Sequence, residues 1–468
     1  MEKDTIAAIA TPIGSSGIGI VRISGSKALS IAQKLFIPQH ADGHNDLSEA
    51  GEGLKSHHLH YGYIREQGKN GIVDEVLLAV MKAPKSYTRE DVVEIQSHSG
   101  SVILSKILRL VMDCGARLSE PGEFTKRAFL NGRIDLSQAE AIADMINAKT
   151  EAGLKLAGTH LYGGLKSAVI KFIDFITDIQ VEIEAGIEFP DDVDCFENHD
   201  GIAEKINKKI VEPIVELIRH YDDGHVLRDG IRLDIVGRPN VGKSSLLNRL
   251  IQKDKAIVTH LPGTTRDLIE DHINIEGIPI LITDTAGLHV TDDPVEIIGI
   301  QKTKENIRIS DLVLWVIDAQ NGITEEDRQV FEQIAHQNIL LVINKRDLLE
   351  RGQKVVVPDE FVTVPKVMIS AKFGSGIGRL KEEIKGKCLR EVDIEPGRTL
   401  IPNFRQKSAL TEALKWSRSV VEGLKNHRPE ELIAADLLYA KNALGVITGD
   451  NIRGDILDDV FSRFCIGK

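Results

Sequence analysis

Gly237-Arg238-Pro239-Asn240-Val241-Gly242-Lys243-Ser244 is the stretch on which the reading of this chain turns. Before it lies an apolar run, Ile231 to Val236, with the length of a buried strand; after it, Ser245 to Leu250 has helical spacing. A strand, a loop spaced G-x-x-x-x-G-K-[ST] and a helix, in that order, make a cradle for phosphates. The loop's backbone N–H groups and the helix N-terminus together attract an anion. Lys243 is placed to reach the β- and γ-phosphates and Ser244 to ligate Mg²⁺, with Asn240, Val241, Gly242 and Ser245 completing the cradle.

Three further segments follow, each at the end of an apolar strand. In Asp284-Thr285-Ala286-Gly287 the carboxylate suits the Mg²⁺ shell and the Gly287 N–H suits a γ-phosphate. In Asn344-Lys345-Arg346-Asp347 the Asp347 carboxylate can accept the ring N–H and exocyclic amine of guanine, a donor pair that adenine lacks. Ser370-Ala371-Lys372 can support the base edge. Four motifs in this order predict GTP binding. Between the loop and Asp284 lies Thr259-His260-Leu261-Pro262-Gly263-Thr264-Thr265-Arg266-Asp267, where Thr265 is placed to join Mg²⁺ while the γ-phosphate is present. Leu288 and His289 stand where many GTPases have a water-orienting glutamine, so that group must come from elsewhere. Arg266 is a candidate arginine finger in cis, set against a surface or switch-stabilising arginine.

The apolar runs Ile231–Val236, Ile280–Ile282, Leu312–Ile317, Ile339–Ile343 and Val367–Ile369 alternate with helical patterns. Alternation of this kind predicts a mainly parallel sheet covered by helices. Upstream, residues 1–118 read as a small α/β domain: a strand at Ile18–Ile23, a helix at Lys27–Leu35, a strand at Val73–Met81 and a helix at Val102–Val111. His40–His60 reads as a loop, with His57, His58 and His60 as solvated side chains lacking metal-ligand spacing. Residues 119–222 are helical, including a long amphipathic run from Leu161 to Phe189 that stops at Pro190, and Ile202–Tyr221. Asp222–Gly230 reads as a boundary, 223–389 as a Ras-like nucleotide domain, and 390–468 as a linker followed by helices at Ser408–Leu424 and Glu430–Leu444. The fold class expected is therefore α/β and all-α multidomain, with the nucleotide domain inserted into a helical one.

The 468 residues suit about three domains. At 42% hydrophobic and 27% charged, the chain has ample core material. Its net charge of −12 means that any nucleic-acid contact must use a local patch or a partner. Cys114, Cys195, Cys388 and Cys465 form no C-x-x-C pair, which argues against a disulfide framework or a structural zinc and fits a reducing cytosol. Glu2 and Asp4 stand where an export signal needs positive charge, and no apolar run of about 18 residues occurs. A cytoplasmic protein with no membrane partner is expected.

Asn240, the run Gly263-Thr264-Thr265-Arg266-Asp267, Leu288 and the segment Phe464-Cys465-Ile466-Gly467-Lys468 together resemble the MnmE (TrmE) family of tRNA-modification GTPases. The resemblance spans the chain, through Gly17–Gly25, Ser86–Glu94 and Pro121–Arg133. It implies an N-terminal folate-binding and dimerising domain, a helical domain and an inserted Ras-like G domain. It also implies a homodimer that works with the flavoprotein MnmG (GidA) on C5 of the wobble uridine of certain tRNAs, to add a carboxymethylaminomethyl or aminomethyl group. The one-carbon unit would come from 5-formyl- or 5,10-methylene-tetrahydrofolate. GTP, Mg²⁺ and K⁺ are implied as well, with Ser244 and Thr265 on Mg²⁺ and Asn240, Thr259, Leu261 and Thr264 around K⁺. Glu296 matches the acidic residue that orients water indirectly. Arg22, Glu94, Arg133 and Lys468 match folate contacts, and Cys465 lies where the family's modification centre is proposed. Two departures stand near that site: Ser99 interrupts a His-Gly-Gly run, and Arg89 replaces a usual glycine. A ribosome-assembly GTPase, a switch without carbon chemistry, is the alternative, since Pro239–Asn248 is also common there.

Overall fold

The computed structural model describes residues 4–12, 14, 16–39, 54–66, 71–188, 199–254, 270–275, 277–283, 310–350, 353, 355–388, 395, 397–450 and 454–468. In chain order the elements run β1 (Ile6–Ile9), β2 (Ser16–Ser24), α1 (Ala28–Leu35), β3 (Phe36–Pro38), β4 (His58–Arg65), β5 (Ile72–Met81), β6 (Val92–Ser99), α2 (Ser101–Asp113), β7 (Arg117–Leu118), α3 (Glu123–Leu130) and α4 (Leu136–Asn147). Next come α5 (Glu151–Leu161), α6 (Gly164–Glu188), α7 (His199–Ile206), a π-helical turn at Asn207–Val211, α8 (Glu212–Asp229), β8 (Ile231–Val236), α9 (Lys243–Asp254), β9 (Glu270–Ile275) and β10 (Ile278–Thr283). The remainder is β11 (Leu312–Asp318), α10 (Glu325–Ile334), β12 (Ile339–Asn344), β13 (Lys366–Met368), α11 (Ile377–Cys388), α12 (Phe404–Lys425), α13 (Glu430–Thr448) and α14 (Gly454–Ser462).

Two compact units result. The first, Met1–Ala143 with Leu444–Lys468, is built on a seven-stranded sheet of order β3-β4-β5-β6-β2-β1-β7. Helices α1 and α2 bury Ile31, Leu35, Leu104 and Ile107 against Val21, Ile23, Leu78 and Ile95 of that sheet. These buried positions recur at helical and alternating intervals, which is why the sequence pattern found both elements. A separate cluster joins α14 and the residues after it to α3 and α4: Val460, Phe461 and Phe464 pack with Ala128, Ile134, Leu136 and Ala139. The chain's last residues thus share a core with residues more than 300 positions upstream.

The second unit, Asp144–Ala443, holds helices and a six-stranded sheet of order β13-β12-β11-β8-β10-β9. Strands β8, β10, β11, β12 and β13 are parallel, and β9 pairs antiparallel with β10. Every residue of β11 and β12 is buried, as expected of central strands covered on both faces. Helix α12 packs on α7 and α8, so the nucleotide-type sheet is inserted along the chain between α8 and α12. Asn403 and Gln406 exchange side-chain and backbone hydrogen bonds that start α12.

Two sequence expectations need correction. His40–His60 is not loop throughout: β4 begins at His58, so His58 and His60 lie on a strand. Its first residues are exposed, and that weakened the apolar alternation from which strands are read. The helix expected over Ile202–Tyr221 does not end there either, because α8 continues to Asp229 and ends at Gly230. Val226 and Leu227 of that last stretch are buried in the core of the six-stranded sheet, and Lys407 pairs with Asp222 at 2.6 Å. Tertiary burial outweighs the local glycine signal at Gly224. Among the described residues, no helix is long and apolar enough to cross a membrane.

Candidate functional site

Ligands of open parallel sheets sit beyond the carboxyl ends of the strands. Here β8 delivers the loop Gly237–Gly242, and α9 starts at Lys243. Asn240 adopts the left-handed conformation, φ +65°, which asparagine tolerates better than most residues. Lys243 folds its ammonium back over the loop, with Nζ donating to Gly237 O at 2.7 Å and to Arg238 O at 3.0 Å. Ser244 and Ser245 are exposed in the first turn of α9.

Asn344, at the end of β12, is buried and ties two loops together. Its Nδ2 donates to Val241 O at 2.8 Å, and its Oδ1 accepts from Ala371 N at 3.0 Å. Gly242 must be a glycine beside it: φ is +98°, and a Cβ would lie 2.3 Å from Asn344 Nδ2. Lys345 turns left-handed, φ +64°, and its Nζ donates to Asp318 Oδ2 at 2.8 Å. Burial would raise the Asp318 pKa, but the Lys345 hydrogen bond, aided by the Gln320 N–H, outweighs it and holds the carboxyl below its ordinary value. Arg346 is pinned through its backbone, N to Ile369 O at 3.0 Å. The Asp347 carboxylate is exposed, and Ser370 Oγ donates to its Oδ1 at 2.5 Å. Ser370 Oγ in turn accepts the Phe373 N–H at 3.3 Å. Lys372 follows on the surface.

Asn240 to Ser245, Asn344 to Asp347 and Ser370 to Lys372 are thus brought together as the strand-end motifs predict. Thr259, His260, Leu261, Pro262, Gly263, Thr264, Thr265, Asp284, Thr285, Ala286, Gly287 and Glu296 lie outside the described residues. Sequence reasoning missed Asp318, the partner of Lys345. The signal was a carboxylate closing a strand parallel to the two already identified.

A second cluster lies in the first unit. Arg22 on β2 and Glu94 on β6 are directly paired across the sheet. Arg22 Nε donates to Glu94 Oε1 at 2.8 Å, and its Nη1 donates to Gly467 O at 3.2 Å. The Arg22 guanidinium lies 5.8 Å from the Tyr87 ring centroid and 5.6 Å from that of Phe124. Arg133 stands over Tyr87 at 4.6 Å and donates to Tyr87 O at 3.2 Å. The C-terminal stretch is held by backbone: Gly122 N and Lys468 N both donate to Cys465 O, at 3.4 and 3.3 Å, and Phe124 N donates to Lys468 O at 3.2 Å. Gly467, φ +93°, presses on β1, where a Cβ would lie 2.5 Å from Ile9 O. Cys465 is exposed.

The two departures from the resemblance have visible consequences. Arg89 has φ +59°, the left-handed conformation for which glycine is the usual residue, and its Nη1 bonds Asn131 O at 3.0 Å. Ser99 clips the start of β2, accepting from Ser16 Oγ at 2.8 Å and donating to Gly14 O at 2.8 Å.

Comparison with known proteins bears on the whole chain. Residues 5–133 match the family described as GTP-binding protein TrmE N-terminus, and residues 136–465 match the MnmE helical domain. The tRNA modification GTPase MnmE of Carboxydothermus hydrogenoformans is 46% identical over 470 residues, covering 100% of both chains. The protein of that name from Thermoanaerobacter pseudethanolicus is 44% identical, and the one from Listeria innocua serovar 6a is 40% identical, each again covering 100% of both chains. The chain belongs to the MnmE (TrmE) family of tRNA modification GTPases.

Proposed function

We propose that this protein hydrolyses GTP to drive modification of the wobble uridine of certain tRNAs. The observation that carries the reading is the Asn344 amide, which joins the phosphate loop at Val241 to the base-side loop at Ala371. Phosphate and base elements are thereby built as one cradle. Asp347, steadied by Ser370, offers two carboxylate oxygens to the guanine N–H donors. A base lacking those donors would offer the Asp347 oxygens no partner of its own, which is a basis for discrimination.

The cations implied by the family are hard, and oxygen donors suit them. The exposed Ser244 hydroxyl and the exposed Asn240 side chain fit that requirement. Ser244 with Thr265 would hold Mg²⁺, and Asn240 with Thr259, Leu261 and Thr264 would hold K⁺. When bound, the two ions offset negative charge on the transferring phosphoryl group. Lys243 adds a third cationic group at the phosphates once it leaves its carbonyl partners. Glu296 would orient the attacking water in place of the missing glutamine.

The Arg22–Glu94 pair beside Tyr87 and Arg133 suits a reduced folate. A carboxylate faces the donor edge of a pterin, and cations attract the anionic glutamate tail. Lys468 would contribute one of those cations, and Cys465 would serve the one-carbon chemistry. The protein would act in the cytoplasm as a homodimer, together with the flavoprotein MnmG.

Mass spectrometry of tRNA nucleosides from cells lacking this protein tests the reading. Loss of the C5-modified wobble uridine supports it, whereas intact nucleosides would leave a GTPase switch without carbon chemistry. Purified protein should hydrolyse GTP faster in potassium than in sodium.

A further inference from the structure

Arg249 projects from α9, the helix whose N-terminus carries Lys243 and Ser244, yet it makes its bonds at the opposite side of the cradle. Its Nε donates to Ala371 O at 3.0 Å, and its Nη2 donates to Lys372 O. No motif singles this residue out.

We propose that Arg249 is a positioning residue for guanine recognition. It fixes the Ser370–Lys372 loop and, through Ser370, the Asp347 carboxylate. This rests on the reading of Asp347 as the guanine acceptor.

Ala371 is gripped at both ends of its backbone, its N–H by Asn344 Oδ1 and its carbonyl by Arg249. The next carbonyl, that of Lys372, is gripped by the same guanidinium. The rigid fork of arginine suits two successive acceptors, and bonds from a charged donor are stronger than neutral ones. With the loop held, the hydroxyl of Ser370 accepts from the Phe373 N–H and donates a hydrogen bond to Asp347 Oδ1 at 2.5 Å. Asp347 itself is exposed, so this hydroxyl restrains a carboxylate that would otherwise sample several rotamers. Holding a recognition group in its bound geometry before the ligand arrives improves affinity by lowering the ordering cost. Arg249 supplies that order from the phosphate-side helix without touching the base.

Inosine diphosphate tests this, because it lacks the exocyclic amine that guanine offers to Asp347. Arg249→Ala should weaken GDP by about 10-fold, in line with the loss of charge-assisted bonds. It should weaken IDP less, so that the GDP-to-IDP affinity ratio shrinks by about threefold or more. Arg249→Lys, able to reach one carbonyl, should fall between, and the loss of GTP turnover should appear mainly in KM. If R249A does not fold, as judged by thermal melting, R249K carries the same comparison. Equal weakening of GDP and IDP would overturn the proposal, since Arg249 would then act only on the helix. Unchanged affinities would overturn it too. A wild-type chain with no preference for GDP over ADP would instead remove the reading of Asp347, a separate and recognisable failure.

Discussion

Arg22 and Gly467 are 445 positions apart, and Arg22 Nη1 donates to the Gly467 carbonyl at 3.2 Å. The same guanidinium holds Glu94 at 2.8 Å, so one side chain is shared between the candidate folate edge and the turn that carries Cys465. A ligand that competes for Glu94 would also alter the grip on Gly467.

Arg22→Gln should therefore loosen both partners. Amide hydrogens of residues 464–468 should exchange about 10-fold faster, and reduced folate should bind about 10-fold more weakly, the scale of losing one bond to a charged group. Hydrogen exchange by mass spectrometry and a folate titration check the two halves. Unaltered exchange would mean that the backbone bonds from Gly122 and Phe124 hold the C-terminal stretch without Arg22.

Gly242→Ala places a methyl group 2.3 Å from Asn344 Nδ2, on a backbone with φ +98°. Either the phosphate loop or Asn344 must move. GDP affinity should drop at least about 10-fold, because the bond from Asn344 to Val241 O is the one displaced. Calorimetric titration reads this directly.

Asp347→Asn exchanges one carboxylate oxygen for an amide donor. The variant should lose guanine nucleotides by at least about 100-fold and gain xanthine nucleotides, whose base offers a carbonyl where guanine has its amine. Competition between GDP and XDP for a fluorescent nucleotide decides it. Retained guanine preference would place base recognition elsewhere.

The described thiols should separate by reactivity. Burial pushes Cys388 up to about 12, with the nearby Asp311 charge adding to the effect, so its thiolate fraction at pH 8 is negligible. Burial also raises Cys114. Cys465 is exposed and should be alkylated first by iodoacetamide, with Cys388 last. Peptide mapping over a time course gives the order.

Glu123 receives hydrogen bonds from both Arg117 and Arg127, at 2.6 and 2.9 Å. Burial would raise its pKa, but the Arg117 bond, the Glu120 backbone N–H and Arg127 prevail and hold it below the ordinary 4.5. A carboxylate depressed in the native state contributes stability above its unfolded value and loses it as pH falls through the native one. Glu123→Gln should cost about 1–2 kcal/mol at pH 7. That difference should shrink below pH 4.5 and vanish once the native carboxylate is protonated. Urea unfolding at a series of pH values gives the curve, and a difference independent of pH would assign the loss to packing alone.

Much of the nucleotide domain was legible because its signals are local. The phosphate-loop pattern is a glycine loop between a strand and a helix, and the proposed base-recognition motif, Asn344 to Asp347, lies at a strand end. Both are contiguous in the chain, and the buried strands β11 and β12 are largely apolar runs that alternation with helices identifies. The resemblance carried the rest of the family reading on segments that are likewise contiguous. Other features had no local signature. β4 opens with exposed residues, so its period of two is faint. Asp222–Asp229 looks like a polar break, yet it continues a helix because Val226 and Leu227 find a core. Arg249 reads as an ordinary helix cation until the chain folds and sets Ala371 and Lys372 in front of it. Arg22, Glu94 and Gly467 meet only after β2 pairs with β6 and Phe464 packs among Ala128, Ile134 and Leu136. Contiguous motifs and their spacing therefore determined the family and the chemistry proposed for the chain. Which distant groups share one cation or one amide was decided by tertiary packing, because burial and hydrogen-bond geometry depend on contacts that lie hundreds of residues apart.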